Sequence, residues 1–362
     1  MQRKLLAAAC LTALAGLAHA DLSVAIAGPM TGQYASAGDQ IKKGAEMAIA
    51  DINAKGGVLG QKLVLEVGDD ACDPKQAVAV ANQMVNKKIV FMHGHWCSSS
   101  TIPASDVYAE SNIPMATVST NPKVTDRGLK NIFAIAGRDD QQGMVAGSYL
   151  ADRFKGKKIA VVDDKSAYGK GLADEIAKTM EAKKVKPALR ESITAGEKDY
   201  SGLITKLKSA GVAVMAYGGY HTEVALILRQ AKQAGLDLTI MGGDTMSNSE
   251  LVTAAGEGAN KVLFTFGPDP RKNAAAAPIV KKFRDAKIEP EGYTLYAYAA
   301  FQLFDQAATQ AKSVKFKPLE QALRKGAFNT VIGKLEFDAK GNGKQPAFVV
   351  YQWQDGKYDY VK

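Results

Sequence analysis

The chain has 362 residues, 46% of them hydrophobic, and a formal charge of +9. The positive charge is spread over short stretches such as Lys183–Lys186 and Lys206–Lys208, which excludes the concentrated basic footprint of a nucleic-acid partner. Beyond the first twenty residues no apolar run reaches transmembrane length, so a soluble mature protein is expected.

The N-terminus places Arg3 and Lys4 before an apolar run, Leu5–Leu17, and ends in Ala18-His19-Ala20. That is the layout of a secretory signal peptide and predicts cleavage after Ala20, with export to the periplasm. Cys10 offers an alternative lipidation site, but its apolar run would be about five residues, short of the roughly 7–15 that export needs. Export leaves Cys72 and Cys97, an even pair that points to one disulfide or else to two buried thiols. The roughly 340 remaining residues are many for one core and comfortable for two domains.

Leu22–Gly28 reads as a strand. A helix follows from about Ala37 to Lys55, with Ile41, Ala45, Ala48 and Ile52 on one face and Gly56-Gly57 as its stop. Further strands are expected at Lys62–Val67, Val90–Met92, Lys158–Val162, Val212–Ala216 and Thr239–Met241. Most are followed by helical patterns, and such alternation means parallel sheets covered on both faces. Divisions near Arg138-Asp139 and Phe266-Gly267-Pro268 split the chain into two α/β lobes. A long helix is expected over Gly292–Lys312, then strands Gly333–Phe337 and Ala347–Trp353 joined by Lys340–Lys344. The expected partition is a leader, 1–20; one lobe from 21–138 plus 268–343; and a second from 139–267 plus 344–362. In open α/β sheets ligands bind at the carboxyl ends of strands, which directs the search to the loops after Gly28, Gly94, Ala116, Asp163, Gly218 and Gly242.

No phosphate loop and no Gly-x-Ser-x-Gly elbow occurs. His93, His95 and Cys97 could lie on one strand face, but they lack a fourth metal ligand, and ordinary hydrogen bonding of strand-end histidines is the expectation. Neither a metal, a cofactor nor a catalytic set is expected. Ser98–Thr101 instead places hydroxyls at a helix start, where unpaired N–H groups and the helix dipole suit a carboxylate. The loops Thr117–Pro122, Ala216–His221 and Gly242–Asp244 add hydroxyls, backbone groups and an acid at strand ends.

Together, and over essentially the whole mature chain, these features resemble the leucine/isoleucine/valine-binding proteins, periplasmic receptors of branched-chain amino-acid ABC transporters. The most specific stretches are Asp69–Asn82, Cys97–Thr101, Ile193–Tyr200 and Tyr217–His221. The resemblance implies two Rossmann-like lobes, doubly wound parallel sheets joined by three hinge crossings, that close on an amino acid in the cleft between them. It implies that Ser98 holds the ligand carboxylate and Thr120 touches both carboxylate and ammonium. A backbone carbonyl near Val118 or Ser119 accepts from the ammonium. Tyr220 and Tyr168 come from the second lobe, Asp244 pairs the ammonium, and Cys72 and Cys97 match the family disulfide.

Three positions depart from the leucine receptors. Trp96 stands beside the ligand side chain where an aliphatic residue is common, Tyr293 falls near a wall position that is often phenylalanine, and Ala37 replaces a frequent aromatic. Either the pocket is short, excluding leucine and suiting alanine, valine, proline or a short ω-amino acid such as γ-aminobutyrate, or Trp96 fills the space left by Ala37 and leucine, isoleucine and valine all still fit. Asp244 is also shorter than the usual glutamate. A monomer delivering its ligand to membrane permease components is implied; a sensing module of the same fold is the alternative.

Overall fold

The computed structural model describes residues 20–344 and 348–361; the expected signal peptide and Cys10 lie outside them. The first sheet is built by β1 (Leu22–Gly28), β2 (Leu63–Asp69), β3 (Phe91–His93), β4 (Met115–Thr117) and β5 (Ile132–Ala134). All pair in parallel, in the order β2-β1-β3-β4-β5. The intervening helices are α1 (Ala35–Ala54), α2 (Pro74–Asn86), α3 (Ser98–Glu110) and the single turn α4 (Lys123–Asp126). Helix α2 starts where Asp73 caps it, accepting from the N–H groups of Lys75 and Gln76, with Pro74 in the first turn.

The chain then enters the second lobe through α5 (Asp139–Arg153), β6 (Ile159–Asp163), α6 (Ala167–Ala182), β7 (Leu189–Ser192), α7 (Ser201–Ser209), β8 (Val214–Gly218), α8 (His221–Gln233), β9 (Thr239–Gly242), α9 (Glu250–Ala255) and β10 (Val262–Phe266). β6, β8, β9 and β10 are buried at nearly every position, the pattern of parallel strands covered on both faces. Next come α10 (Ala277–Asp285), α11 (Thr294–Ala311) and α12 (Phe316–Lys325), which return to the first lobe. Helix α11 lies against α1 so closely that a Cβ on Gly44 would stand 2.1 Å from the Thr294 carbonyl oxygen. No larger residue fits there. The chain ends with β11 (Phe328–Thr330), β12 (Gly333–Leu335), β13 (Val349–Gln354) and β14 (Lys357–Tyr360).

The strands anticipated around 333–337 and 347–353 belong to different lobes: β12 forms a hairpin with β11, while β13 runs antiparallel to β10 and carries β14. A lobe crossing separates them, since Asn342 still bridges to Ala134 beside the first sheet whereas Val349 is already on the second. The second sheet is therefore mixed, in the order β14-β13-β10-β9-β8-β6-β7, with an antiparallel edge. The chain crosses between the sheets three times: after β5, after β10 and before β13.

Candidate functional site

The strand ends expected to carry the site converge. Cys97 N-caps α3, so Ser98 and Ser99 occupy its first turn, where N–H groups lack intrahelical partners. Val118, Ser119 and Thr120 follow β4, Tyr168 sits in the first turn of α6, Tyr220 caps α8, and Asp244 follows β9. Trp96, Ser98, Val118, Ser119, Thr120, Tyr168, Tyr220 and Asp244, with Thr245, line one buried cavity of about 10 Å³. That is room for one water molecule, so an amino acid enters only when the lobes part. Two larger grooves, about 540 Å³ and 930 Å³, open at the surface around charges already paired, such as Arg271 with Asp269 and Lys272 with Asp359. The small cavity is the better candidate because the hydrogen-bond donors at the start of α3 and an acceptor carboxylate face each other across it.

The acceptor is Asp244, 3% exposed. Its carboxylate receives Tyr293 Oη at 2.5 Å, Gln142 Nε2 at 2.8 Å and Tyr168 Oη at 2.9 Å. Burial pushes its pKa up, and these three donors oppose the shift by favouring the charged form. Tyr293 does not line the cavity; it acts through this bond and through its ring, 6.4 Å from that of Trp96. On the opposite wall the Ser98 hydroxyl accepts a long bond from the Asn121 N–H, 3.4 Å. The Ser119 hydroxyl is spent inside the protein, on the carbonyls of His95 and Trp96 and on Thr101. Its N–H donates to Thr117 Oγ1 at 3.1 Å, which leaves the backbone carbonyl to serve a ligand.

Cys72 and Cys97 are bonded, with Cα atoms 5.5 Å apart. The bridge ties the loop before α2 to the residue that starts α3. His95 is held between Asp70, 2.5 Å from Nδ1, and the Tyr108 hydroxyl, 3.1 Å from Nε2. His93 Nδ1 faces the Ala116 carbonyl at 3.1 Å, and burial lowers its pKa to about 4.

The sequence did not single out Tyr34, Asp139, Gln142 or Thr245. Tyr34 stacks on Tyr220 with ring centroids 4.4 Å apart, lies 6.4 Å from Trp96, and its hydroxyl reaches Glu223 of the other lobe at 3.3 Å. It stands one helical turn before Ala37, whose N–H it accepts, so an aromatic ring packs against Trp96 and Tyr220 despite the alanine. The i, i+3 spacing was the available signal. Further bonds hold the lobes closed: Asn121 Nδ2 to the Ala167 carbonyl (2.6 Å), the Ala167 N–H to Ser99 Oγ (3.1 Å), and a group of Ser36, His221, Asn248 and Glu250.

Fold and site thus define a two-lobed receptor that closes on a small ligand between carboxyl-terminal strand ends. The chain belongs to the periplasmic binding protein family, whose sequence profile matches residues 21–357, and its role is substrate binding. It is 48% identical over 361 residues to the Leu/Ile/Val-binding protein homolog 1 of Brucella melitensis, covering 98% of this chain and 97% of that one. It is 45% identical to the leucine-, isoleucine-, valine-, threonine- and alanine-binding protein of Pseudomonas aeruginosa, covering 93% and 91%. The structure of LivJ from Streptococcus pneumoniae in complex with isoleucine superposes with a TM-score of 0.84 at 26% identity, covering 94% and 99%.

Proposed function

We propose that this protein is the periplasmic component of an ABC importer, binding a neutral amino acid and delivering it as a monomer to the permease without altering it. Ser98 and the first N–H groups of α3 take the ligand carboxylate. Thr120 and a carbonyl at Val118 or Ser119 share the ammonium with Asp244. The observation that carries this reading is the opposition of a helix N-terminus and a buried, donor-supported carboxylate across one cavity, because a zwitterion needs both. Residues 1–20 direct export and are removed in the course of it. The first lobe comprises 21–138 and 268–343, and the second 139–267 and 344–362, the ligand lying at their junction. Tyr34, Trp96, Tyr220 and Tyr293 crowd the side-chain end, which favours alanine, valine, proline or γ-aminobutyrate over leucine and isoleucine.

Calorimetric titration of refolded, ligand-stripped protein with leucine, isoleucine, valine, alanine, proline and γ-aminobutyrate tests this. The smaller ligands should bind, and Asp244→Asn should weaken them at least about 30-fold, the cost of removing one charge from a buried pair. Unchanged affinity in Asp244→Asn, Ser98→Ala and Thr120→Ala together would remove the site assignment.

A further inference from the structure

Two carboxyl groups in opposite circumstances lie together at the first lobe crossing. Asp244 is bonded by three donors. Asp139, the first residue of α5, is fully buried, and neither of its carboxyl oxygens has a well-formed hydrogen bond. Its N–H donates to the Thr120 carbonyl at 2.8 Å, which fixes it behind the ligand loop. The groups that face its carboxyl from other elements are Thr120, Asp244, Tyr168 and Tyr220, and all four line the buried cavity. On its own element stand Arg138 and Asp140, and Arg138 spends its guanidinium on Asp126 and Asp140. Among the described residues, none that line the cavity is cationic.

One turn along the same helix, Gln142 Nε2 donates to Asp244 Oδ1 (2.8 Å) and to the Thr265 carbonyl (3.2 Å). Both amide hydrogens are used, so Gln142 Oε1 needs a donor, yet it too is buried without one. Three acceptor oxygens, Asp139 Oδ1 and Oδ2 and Gln142 Oε1, thus lack a well-formed bond at one end of one helix, and only the Thr120 hydroxyl approaches the Asp139 carboxyl. Buried acceptors left this way are costly. A single proton, with the Thr120 hydroxyl serving the other Asp139 oxygen, resolves the tally, because a protonated carboxyl is a donor as well as an acceptor and residues three apart on a helix are within side-chain reach. Burial, and then the charge of Asp244, raise the Asp139 pKa well above the usual carboxylate range.

We propose that Asp139 is a positioning residue of the ligand site, kept as a neutral acid whose O–H holds Gln142 Oε1 and so fixes the Gln142 amide against the carboxylate that receives the ligand ammonium. Ionising Asp139 would set a negative charge against Gln142 Oε1. The amide would then turn over and present oxygen to Asp244. This relay rests on the amino-acid reading given above, and it makes an amide an adequate replacement for the acid.

The test is calorimetric titration of the full chain with whichever of the six amino acids binds wild type most tightly, at pH 6, 7 and 8, in buffers of different ionisation enthalpy. Wild type should exchange no proton on binding across this range. Asp139→Asn should retain affinity within about threefold, its N–H replacing the O–H, while Asp139→Ala and Gln142→Ala should each lose about tenfold. The Asp139→Ala/Gln142→Ala double variant should lose little more than either single one. Proton release on binding, or an Asp139→Asn variant as weak as Asp139→Ala, would overturn the relay while leaving the amino-acid site in place. If wild type binds none of the six, the functional reading fails and the relay with it.

Discussion

Trp96 and Tyr293 decide different things, although their rings stand only 6.4 Å apart. Trp96 lines the cavity itself and packs 5.3 Å from Tyr220, ring to ring. Its bulk acts directly on the ligand side chain. Inserting methylenes into a packed site costs roughly 1–3 kcal/mol, so a leucine that must displace the indole binds worse than an alanine that need not. Trp96→Leu should therefore raise leucine affinity relative to alanine by about tenfold, read by the same titration. No change in that ratio would mean the indole swings aside at little cost. Tyr293 is bonded to Asp244, so its loss should weaken all the amino acids alike.

The elements that close the cleft are loops and first helical turns, and their bonds cross from one lobe to the other. Ser36 in α1 donates to Glu250 of α9, His221 Nε2 lies 2.9 Å from the same carboxylate, and Asn248 Nδ2 donates to Ser36 Oγ at 2.8 Å. The bond with His221 is the main cause holding the Glu250 pKa below its ordinary value, and Ser36 adds to it. A depressed carboxyl contributes its stabilisation above the unfolded pKa and loses it as pH falls through the folded one; His221 and Glu250 share a lobe, so only the Ser36 part of the shift favours closure at neutral pH and weakens in acid. Glu250→Gln should release ligand about three- to tenfold faster at pH 7, measured by stopped-flow tryptophan fluorescence. An unchanged release rate would show that the latch does not control opening.

At the same scale, the strand–helix alternation was legible because β6, β8 and β9 are short apolar runs and α1 repeats its buried face every three or four residues. β10 escaped although it is an apolar, fully buried run of the same kind; the other misses include strands without that signal. β5 is three residues long, β7 alternates half-exposed with exposed positions, and β14 is mostly exposed and carries Lys357 and Asp359. The pocket residues expected from the resemblance, Tyr293 apart, lie around one cavity, whereas Asp139 and Gln142 looked like an ordinary helix start. Their meaning comes from Asp244, more than a hundred residues away, and local pattern does not encode that proximity.

For the whole molecule, the Cys72–Cys97 bridge joins stability to binding. It closes a separation of 25 residues, which on the chain-entropy model contributes roughly 3–4 kcal/mol by restricting the unfolded chain. Its second end is the N-cap of α3, one residue before Ser98. That position is not held by the disulfide alone. The Ser100 and Thr101 N–H groups both donate to the Cys97 carbonyl at 2.9 Å, and the Thr101 hydroxyl donates to the His95 carbonyl at 2.9 Å. The folded loop should therefore survive loss of the bridge, and most of the cost should fall on the unfolded-state balance. A Cys72→Ser/Cys97→Ser variant is expected to melt several degrees lower than wild type while keeping its ligand affinity within about threefold at 25 °C, since a constraint on the unfolded chain leaves the folded site unchanged. Paired thermal melts and titrations separate the two effects. A large loss of affinity with little change in melting temperature would mean that the bridge acts instead on the folded state, by aiming Ser98 and the first turn of α3 at the ligand carboxylate.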